Sequence, residues 1–357
     1  MALTAVLQFA APGAGADERP VGDARVLAPV PSPPGFPEGI AVRDGRVYVA
    51  GPAAFGTTGK PASRVLAFDR ATGALVATYL TEGEDLLAEH ANSSIAFDGD
   101  GRLYVLNTQL GIYRLDLATG TQQQYASPFP DLPPCLVTPT EPCAHTLADT
   151  PSIPNDIAFD DAGNAYVTDS MQATIWLVPA PAGPSDLPVA PVIWFQDRRL
   201  KSPYIGANGL RLDPAQTSAY VTVTTDLRAR SFVYTLPLVD QPTAADLAVF
   251  HRYPIGQLPD GIAFGESGDL YVAMATPGAS GVSVLSPTGA EVRRFANRRV
   301  SPIAPYDSPA NIAFDSDGAI LLTNHAFVTG IVDPSRFSVL DVFVDDKGSP
   351  LAMPSLP

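Results

Sequence analysis

The chain has 357 residues, of which 46% are hydrophobic and 17% are charged, and its formal net charge is −15 at pH 7. This composition is that of a globular protein, and the negative charge argues against a nucleic-acid backbone or an anionic membrane as the partner. With 37 Pro and 29 Gly, the chain favours many short strands joined by turns over long helices.

The first 16 residues, MALTAVLQFAAPGAGA, resemble the apolar part of a secretory signal peptide that ends in small residues. The basic start of such a peptide is missing, so residues 1–16 are either a signal-peptide remnant or a disordered N-terminus. We favour a secreted or periplasmic protein, with a cytoplasmic location as the alternative. No apolar run reaches the roughly 18 residues of a membrane span, so membrane insertion is not predicted.

A hairpin pattern recurs six times along the chain. Each copy consists of an apolar alternating run, a Gly-containing or polar turn and a second alternating run, as in PNDIAFDDAGNAYVTDS at 154–170. A polar residue precedes each copy, and the six are Glu38, Asn92, Asn155, Asn208, Asp260 and Asn311. Successive positions lie 51 to 63 residues apart, and the one long step contains an insertion at about 128–150. This regular period indicates an internal repeat.

A second pair of strand-like runs follows each hairpin, and four strands in about fifty residues are typical of a propeller blade. Six copies therefore predict an all-β, six-bladed β-propeller, with four-stranded blades around a central channel, as a single domain over 17–357. The run Ala24–Val30 is expected to close the ring beside the run Phe337–Val344 in the last blade. The nearest approach to a helical period, in Ala244–Tyr253, is short and is predicted to be a strand.

The insertion holds the two cysteines, Cys135 and Cys143, which lie eight residues apart in a Pro-rich loop. Their proximity, in a loop with no other obvious stabilising contact, favours a disulfide and an oxidising compartment. Two cysteines with one neighbouring His are too few for a structural zinc site. If the loop folds over the channel mouth, we expect it to be the main determinant of specificity.

The six polar positions converge on one mouth of the channel, because the first strand of each blade lines it. Any one Asn or Asp at such a place is explained by ordinary turn chemistry. Taken together, two carboxylates and four amides without a Lys or Arg form the all-oxygen ligand set that Ca²⁺ accepts in flexible geometry. Magnesium requires stricter geometry, and four His without metal-ligand spacing disfavour zinc. We therefore predict one cation at the mouth, calcium in preference to other divalent cations.

The repeated PxGIAF…GxLYVA hairpins resemble those of the calcium-dependent six-bladed propeller hydrolases, which include gluconolactonases, paraoxonases and diisopropylfluorophosphatases. The resemblance extends from about Ala24 to Leu351, and its most specific part is the order Glu, Asn, Asn, Asp in blades one, three, four and five. It implies that the catalytic calcium is held by Glu38, Asn155, Asn208 and Asp260.

The same resemblance implies roles around these ligands. Asp260 would also be the nucleophile or the general base, and Asp156 would handle protons or support the ligands from behind. Asn92 and Asn311 would face the substrate. Some relatives carry a ligand for a second calcium three residues after the aspartate, where this chain has Ala263. A second ion is therefore not predicted from these residues.

Two further residues, His325 and Asp169, end the second strands of their blades and are candidates for substrate contact. A polarised carbonyl next to a carboxylate fits lactone or ester hydrolysis, and it fits phosphoester cleavage less firmly. Two alternatives stay open: a binding propeller without chemistry, and a metal-independent propeller similar to strictosidine synthase. The expected partner is a small molecule, and a monomer is the expected state.

Overall fold

The computed structural model describes residues 19–135, 143, 149–315 and 317–357. These residues form six antiparallel sheets of four strands each. The described part contains no α-helix and three single-turn 3₁₀ helices, at Pro184–Asp186, Arg198–Leu200 and Pro334–Arg336. None of them has the length and apolarity needed to cross a membrane. The predicted all-β, six-bladed propeller is confirmed, whereas the signal-like segment 1–16 lies outside the described residues.

The strands of the first three blades run outward from the channel in chain order. Blade 1 contains β2 (Ile40–Arg43), β3 (Arg46–Gly51), β4 (Arg64–Asp69) and β5 (Leu75–Leu80). Blade 2 contains β6 (Asn92–Phe97), β7 (Leu103–Asn107), β8 (Gly111–Leu115) and β9 (Gln122–Ala126). Blade 3 contains β10 (Pro154–Phe159), β11 (Ala165–Asp169), β12 (Thr174–Val178) and β13 (Val192–Gln196).

The last three blades follow the same order, with one strand of the sixth supplied from the N-terminal side. Blade 4 contains β14 (Ala207–Leu212), β15 (Ser218–Val223), β16 (Ser231–Pro237) and β17 (Ala248–Tyr253). Blade 5 contains β18 (Pro259–Phe264), β19 (Leu270–Met274), β20 (Gly281–Leu285) and β21 (Glu291–Ala296). Blade 6 contains β22 (Pro309–Phe314), β23 (Ala319–Asn324), β24 (Ser338–Phe343) and β1 (Ala24–Pro29).

The ring closes as the sequence predicts. Strand β1 pairs antiparallel with β24 as the outermost strand of blade 6, with Ala24 opposite Val342. The inner strands contact one another in cyclic order, and β22 contacts β2. The segment that was the nearest approach to a helix forms strand β17, as predicted. Closure of this kind leaves no blade with an unpacked neighbour.

Apolar side chains on the two faces of each blade are buried between neighbouring blades. Between blades 2 and 3, Tyr104 packs edge-on against Phe159 with ring centroids 5.1 Å apart, and Trp176 belongs to the same cluster. Outer strands are more exposed, as in β5. Because every cluster needs two blades, no blade can bury its apolar faces alone.

The C-terminal segment crosses the mouth opposite to the predicted ligands. Ser349 N donates to Phe264 O of blade 5 at 2.9 Å, and Gly99 N of blade 2 donates to Pro354 O at 3.0 Å. Leu356 is buried in the cluster between blades 2 and 3. The segment thus connects opposite sides of the ring at the mouth away from the predicted ligands.

Candidate metal centre

Five of the six inner strands carry a β-bulge at the mouth where the sequence predicts the ligands; the exception is β2, which Glu38 precedes by two residues. In β10, Asn155 and Asp156 together face Thr168 of β11. Strands β14 and β18 place Asn208 and Asp260 at the same position of their own bulges. A bulge kinks a strand and redirects its side chains, and such bulges are frequent beside active sites. The local backbone therefore turns these side chains towards the channel mouth.

A cavity of about 590 Å³ opens at this mouth. Its wall contains all four predicted ligands, Glu38, Asn155, Asn208 and Asp260, and also the predicted substrate contact His325. The four come from blades 1, 3, 4 and 5, so only closure of the ring brings them together. Their convergence at one cavity agrees with the geometry expected from the repeat.

Hydroxyl groups of the preceding blade hold the backbone of three candidate ligands. The donor in each case is a threonine Oγ1 and the acceptor is the ligand's carbonyl oxygen: Thr168 to Asn208 (2.5 Å), Thr222 to Asp260 (2.8 Å) and Thr323 to Glu38 (2.6 Å). These threonines occupy the same register position in the second strands of blades 3, 4 and 6. Blade 2 uses Ser93 instead, whose Oγ donates to Pro154 O at 2.7 Å. The neighbouring blade thus fixes the backbone of three ligands directly, and it fixes the backbone of Asn155 through the preceding residue, Pro154.

Asn208 has a buried side-chain oxygen that finds no partner among the described residues. Its Nδ2 donates to Thr224 Oγ1 at 2.9 Å, which fixes the amide plane. Its Oδ1 is buried and accepts no hydrogen bond in the part of the chain that the structure describes. An unsatisfied buried acceptor costs about 1–3 kcal/mol, and a cation would satisfy it. The donor set therefore fits an oxygen-liganded divalent cation.

Carboxylates alone do not make this site. Among the described residues, no three His, Cys, Asp or Glu side chains are grouped so that they could hold a metal ion. The candidate set has two carboxylates, Glu38 and Asp260, and a cation would have to complete its shell with the amide oxygens of Asn155 and Asn208. Such mixed oxygen shells are ordinary for calcium.

The electrostatic surroundings of Asp260 favour a nearby cation. Burial raises the pKa of its carboxyl well above the ordinary value of 3.8, and the negative charges of Glu38 and Asp156 raise it further. Hydrogen bonds from Asn208 and from the backbone N–H of Gly261 oppose this rise. The side chain is half-buried, and its exposed part faces the cavity rather than bulk water. A cation at this place would offset the repulsion between the carboxylates.

His325 is paired with one of the candidate ligands. Its Nδ1 lies 2.6 Å from Glu38 Oε2, and both side chains are largely buried. Its ring also packs against Phe36, with centroids 5.6 Å apart. The structure thus places His325 in the cavity, as predicted, and gives it a contact with Glu38 that the sequence did not indicate.

Asp156 lies behind the mouth, where it forms a buried ion pair. Its Oδ1 accepts from Ser94 Oγ at 2.6 Å, and its Oδ2 accepts from Leu210 N and Arg211 Nη1, both at 2.9 Å. The Arg211 guanidinium also reaches Asn311 Oδ1, at 3.5 Å. The other five inner strands have alanine where Arg211 stands: Ala41, Ala96, Ala158, Ala263 and Ala313. One arginine therefore fills a channel that is otherwise lined by methyl groups at this level.

Asn92 does not occupy the register position of the four ligands. In the strand pairing, Asn92 of β6 corresponds to Pro154 of β10, which is the residue before the bulge. Ser93 therefore stands at the position that the ligands occupy in the other blades. Asn92 is fully buried; its Nδ2 donates to Thr81 Oγ1 at 2.8 Å, and its Oδ1 accepts from Asn107 at 2.8 Å. Strand pairing shifts this blade by one residue, so the Asn92 amide bonds to Thr81, which follows blade 1, and to Asn107 of its own blade. Its contact with substrate stays a prediction.

Asn311 is shifted in the opposite direction. It is the second residue of its bulge, equivalent to Asp156, and Ala310 stands at the ligand position. The Asn311 Oδ1 accepts a hydrogen bond from Ile312 N at 2.8 Å. The same oxygen packs directly against Gly261, because a Cβ added to that glycine would lie only 2.4 Å from it. The structure therefore places Asn311 within the channel beside Arg211, outside the described lining of the cavity, and its contact with substrate stays a prediction.

Asp169, the other candidate for substrate contact, is not among the described residues that line the cavity. It is fully buried, and it accepts hydrogen bonds from Ser152 Oγ at 2.7 Å and Trp176 Nε1 at 3.2 Å. It also accepts from the backbone N–H groups of Met171 and Gln172, which is the pattern of an Asx turn. Asp169 stabilises the corner between β11 and β12, and Ser152 stands between it and the cavity.

The predicted disulfide between Cys135 and Cys143 is present. Asp131 connects the described ends of the insertion, because its carboxylate accepts from Cys143 N at 2.8 Å and Ser152 N at 2.7 Å. Residues 151–153, which follow the insertion, line the cavity. The rest of the loop lies outside the described residues, so its fold over the mouth stays a prediction.

The fold and the arrangement of side chains define a six-bladed propeller with a candidate oxygen-ligand metal centre at one mouth. Residues 61–318 match the family described as the SMP-30/gluconolactonase/LRE-like region. Because this match spans most of the chain, the protein belongs to that family. No curated protein matches the chain significantly.

Solved structures with the same fold have different activities. The chain is similar to a calcium-binding protein, regucalcin, from Agrobacterium tumefaciens, with a TM-score of 0.63, 16% identity, and coverage of 94% of this chain and 97% of that one. It is similar to a gluconolactonase from Xanthomonas campestris (TM-score 0.58, 17% identity, 90% of both chains). It is also similar to a virginiamycin B lyase from Staphylococcus aureus, with a TM-score of 0.54, 12% identity, and coverage of 90% of this chain and 99% of that one. At these identities the likeness shows the fold alone.

Proposed function

We propose that the protein is a calcium-dependent hydrolase of lactones or esters. Glu38, Asn155, Asn208 and Asp260 would hold one ion at the channel mouth, and other divalent cations that prefer oxygen ligands are alternatives. The observation that carries this proposal is the buried Oδ1 of Asn208, which has no hydrogen-bond partner within the described part of the chain and lies at a cavity that also holds two carboxylates. Membership of a family named after gluconolactonase supports the lactonase class.

Bound calcium would polarise the substrate carbonyl and stabilise the oxyanion that develops. The Asp260 carboxylate would take a proton from a water molecule that adds to the carbonyl carbon, and the acyl C–O bond would then break as the departing alkoxide receives that proton. Alternatively, the carboxylate would attack the carbonyl carbon and expel the alkoxide, which takes a proton from water, and a second water molecule would hydrolyse the resulting anhydride and regenerate Asp260. Ionisation of Asp260 is opposed by burial and by the charges of Glu38 and Asp156, and it is favoured by the hydrogen bonds from Asn208 and Gly261 N–H. The Thr222 hydroxyl, through Asp260 O, would keep the reacting carboxylate in place.

Glu38 and Asp156 would act mainly by position. His325 Nδ1 lies 2.6 Å from Glu38 Oε2 and would limit the positions open to that carboxylate, and substrate contact is a second role for His325. The negative charge of Asp156 is compensated by the Arg211 guanidinium. Asp156 also belongs to the same β-bulge as Asn155 and stabilises it. We therefore assign Asp156 to supporting the ligands and not to proton transfer with substrate.

The two rival functions explain less of the site. A binding propeller without chemistry needs neither the four oxygen ligands nor the shared threonine contacts. A metal-independent propeller similar to strictosidine synthase relies on one glutamate, and it provides no cation for the buried Asn208 Oδ1 to bind. Both remain outcomes of the experiment below.

The test is metal analysis of the purified protein, combined with a panel of lactones, aryl esters and organophosphates, with and without chelator. We expect one calcium per chain, loss of lactone or ester hydrolysis on chelation, and recovery with added calcium. Glu266→Gln, at the opposite mouth, is the matched control and should behave like the wild type. Hydrolysis that resists chelation would favour the metal-independent alternative, and absence of both metal and hydrolysis would favour the binding propeller.

A further inference from the structure

The upper wall of the candidate centre is apolar. Between the ligand residues and the rim, the cavity is lined mainly by aromatic and branched aliphatic side chains, which include Phe36, Phe55, Ile153, Ile205, Phe327 and Ile331. They come from the connecting loops of blades 1, 3, 4 and 6, so apolar surface is present on several sides of the cavity. A substrate that reaches the ligands must pass between these side chains.

Several of these side chains are unusually exposed for their size. Phe55 is 48% exposed, Phe327 43% and Ile331 71%, and the rim residue Tyr204 is 68% exposed. Large apolar groups gathered at the rim of a cavity, rather than scattered over the surface, are typical of a binding site. A ligand with an apolar part would remove this surface from water.

Most of the hydroxyl groups in the described wall already have partners within the protein. Three hydroxyls donate hydrogen bonds: Ser93 Oγ to Pro154 O, Ser152 Oγ to the Asp169 carboxylate, and Thr224 Oγ1 to Pro259 O. A fourth, Thr108 Oγ1, accepts from Ala91 N. Both ring nitrogens of His90 lie within 3.1 Å of backbone carbonyl oxygens. Few polar groups are left to recognise the hydroxyls of a sugar lactone, and a buried substrate hydroxyl without a partner is unfavourable.

The charges of the cavity disfavour an anionic substrate. Its described lining includes the carboxylates of Glu38, Glu89 and Asp260 and contains no Lys or Arg. Glu89 is occupied as a cap, since it accepts from the backbone N–H groups of Gly56 and Thr57. A phosphate or sugar-acid group would find no basic side chain to pair with.

We propose that this site takes neutral lactones or esters that carry an alkyl or aryl group, in preference to polyhydroxylated sugar lactones. The proposal rests on the proposed hydrolase function. The carbonyl would lie at the ligand residues, and the apolar group would lie against Phe55, Phe327 and Ile331.

The kinetic test uses lactones with the same six-membered ring: δ-valerolactone, δ-nonalactone and δ-gluconolactone. We expect kcat/KM for δ-nonalactone to exceed that for δ-gluconolactone by at least about tenfold. Phe327→Ser should lower the ratio of δ-nonalactone to δ-valerolactone turnover by about tenfold. Val300→Ser, a substitution of an exposed residue in another loop, is the matched control and should leave the ratio unchanged. Faster turnover of δ-gluconolactone, or an unchanged ratio in Phe327→Ser, would overturn the proposal.

A binding measurement separates this proposal from the hydrolase function. Calorimetric titration of the full chain with 2-heptylcyclohexanone and 2-methylcyclohexanone probes the wall without any reaction. Tighter binding of the heptyl compound by at least about tenfold, reduced in Phe327→Ser, supports the apolar wall even if no lactone is hydrolysed. Equal affinity for the two ketones overturns it even if hydrolysis is observed.

Discussion

The buried ion pair between Asp156 and Arg211 leads to a prediction about stability. The Arg211 side chain is 11% exposed and that of Asp156 is 1% exposed, and the charged atoms are 2.9 Å apart. Arg211→Ala gives β14 the residue that the other five inner strands carry at this position, so no steric cost is expected. Removing one partner of a buried pair costs about 3–5 kcal/mol, because the other charge stays buried without its partner.

For Arg211→Ala we expect the free energy of unfolding to fall by about 3 kcal/mol, at the lower end of this range. Asp156 keeps three other donors after the substitution: Ser94 Oγ, Ile157 N and Leu210 N. Urea unfolding of the wild type, Arg211→Ala, Asp156→Asn and the double variant measures the coupling. The double variant should lose less stability than the sum of the single losses, with an unchanged denaturant slope.

Arg25→Ala is the control for this series, because Arg25 pairs with Asp23 on the surface and its side chain is 67% exposed. The control should lose at most about 1 kcal/mol. A loss of less than about 1 kcal/mol in Arg211→Ala, or strictly additive losses in the double variant, would refute the view that the pair is buried and acts as a unit.

Three further predictions concern the site and the loop beside it. Thr222→Val removes the hydroxyl that donates to Asp260 O; it should cost about 1 kcal/mol of unfolding free energy and weaken calcium binding, as measured by calorimetry. Asn208→Ala should fold and should weaken calcium binding and turnover together, and unchanged calcium affinity would count against its role as a ligand. Replacing both Cys135 and Cys143 by Ser should lower the free energy of unfolding by about 2–3 kcal/mol, and an unchanged urea midpoint would show that the disulfide does not stabilise the fold.

The architecture could be predicted from the sequence because it depends on a repeated local pattern. Alternating apolar runs and a period of about fifty residues determine the number of blades, and the run from Ala24 needed a partner that only the last blade could offer. The structure confirms this in the pairing of β1 with β24. Local patterns specify such pairings well, because a one-residue slip would expose the buried face of a strand.

The register at the mouth could not be derived by aligning polar residues. Asn92 and Asn311 lie one residue before and one residue after the ligand position. The apolar residue that follows each bulge, such as Ile95 or Ile312, is the better reference, because its burial fixes the strand pairing. The bulge itself adds a residue that alternation does not reveal.

Two other features of the site have signals in the sequence that are visible once the register is known. Arg211 stands where every other inner strand has alanine, so its position is exceptional within the repeat. Thr168, Thr222 and Thr323 recur at one strand position, and their acceptors belong to the next blade. Which atom of the next blade accepts the hydrogen bond of such a threonine depends on how the blades pack in the closed ring. Local sequence does not specify this packing.

The most direct test of the central claim is Asp260→Asn, measured for calcium content and for hydrolysis of the best substrate in the panel. The substitution keeps the size and one oxygen ligand of Asp260 but removes its charge and its capacity to act as nucleophile or base. We predict a folded protein that binds calcium more weakly and loses kcat by a factor on the order of 10³ or more, whereas Glu266→Gln stays active. Near-normal kcat in Asp260→Asn, on a substrate that the wild type hydrolyses, would contradict the role assigned to this carboxylate.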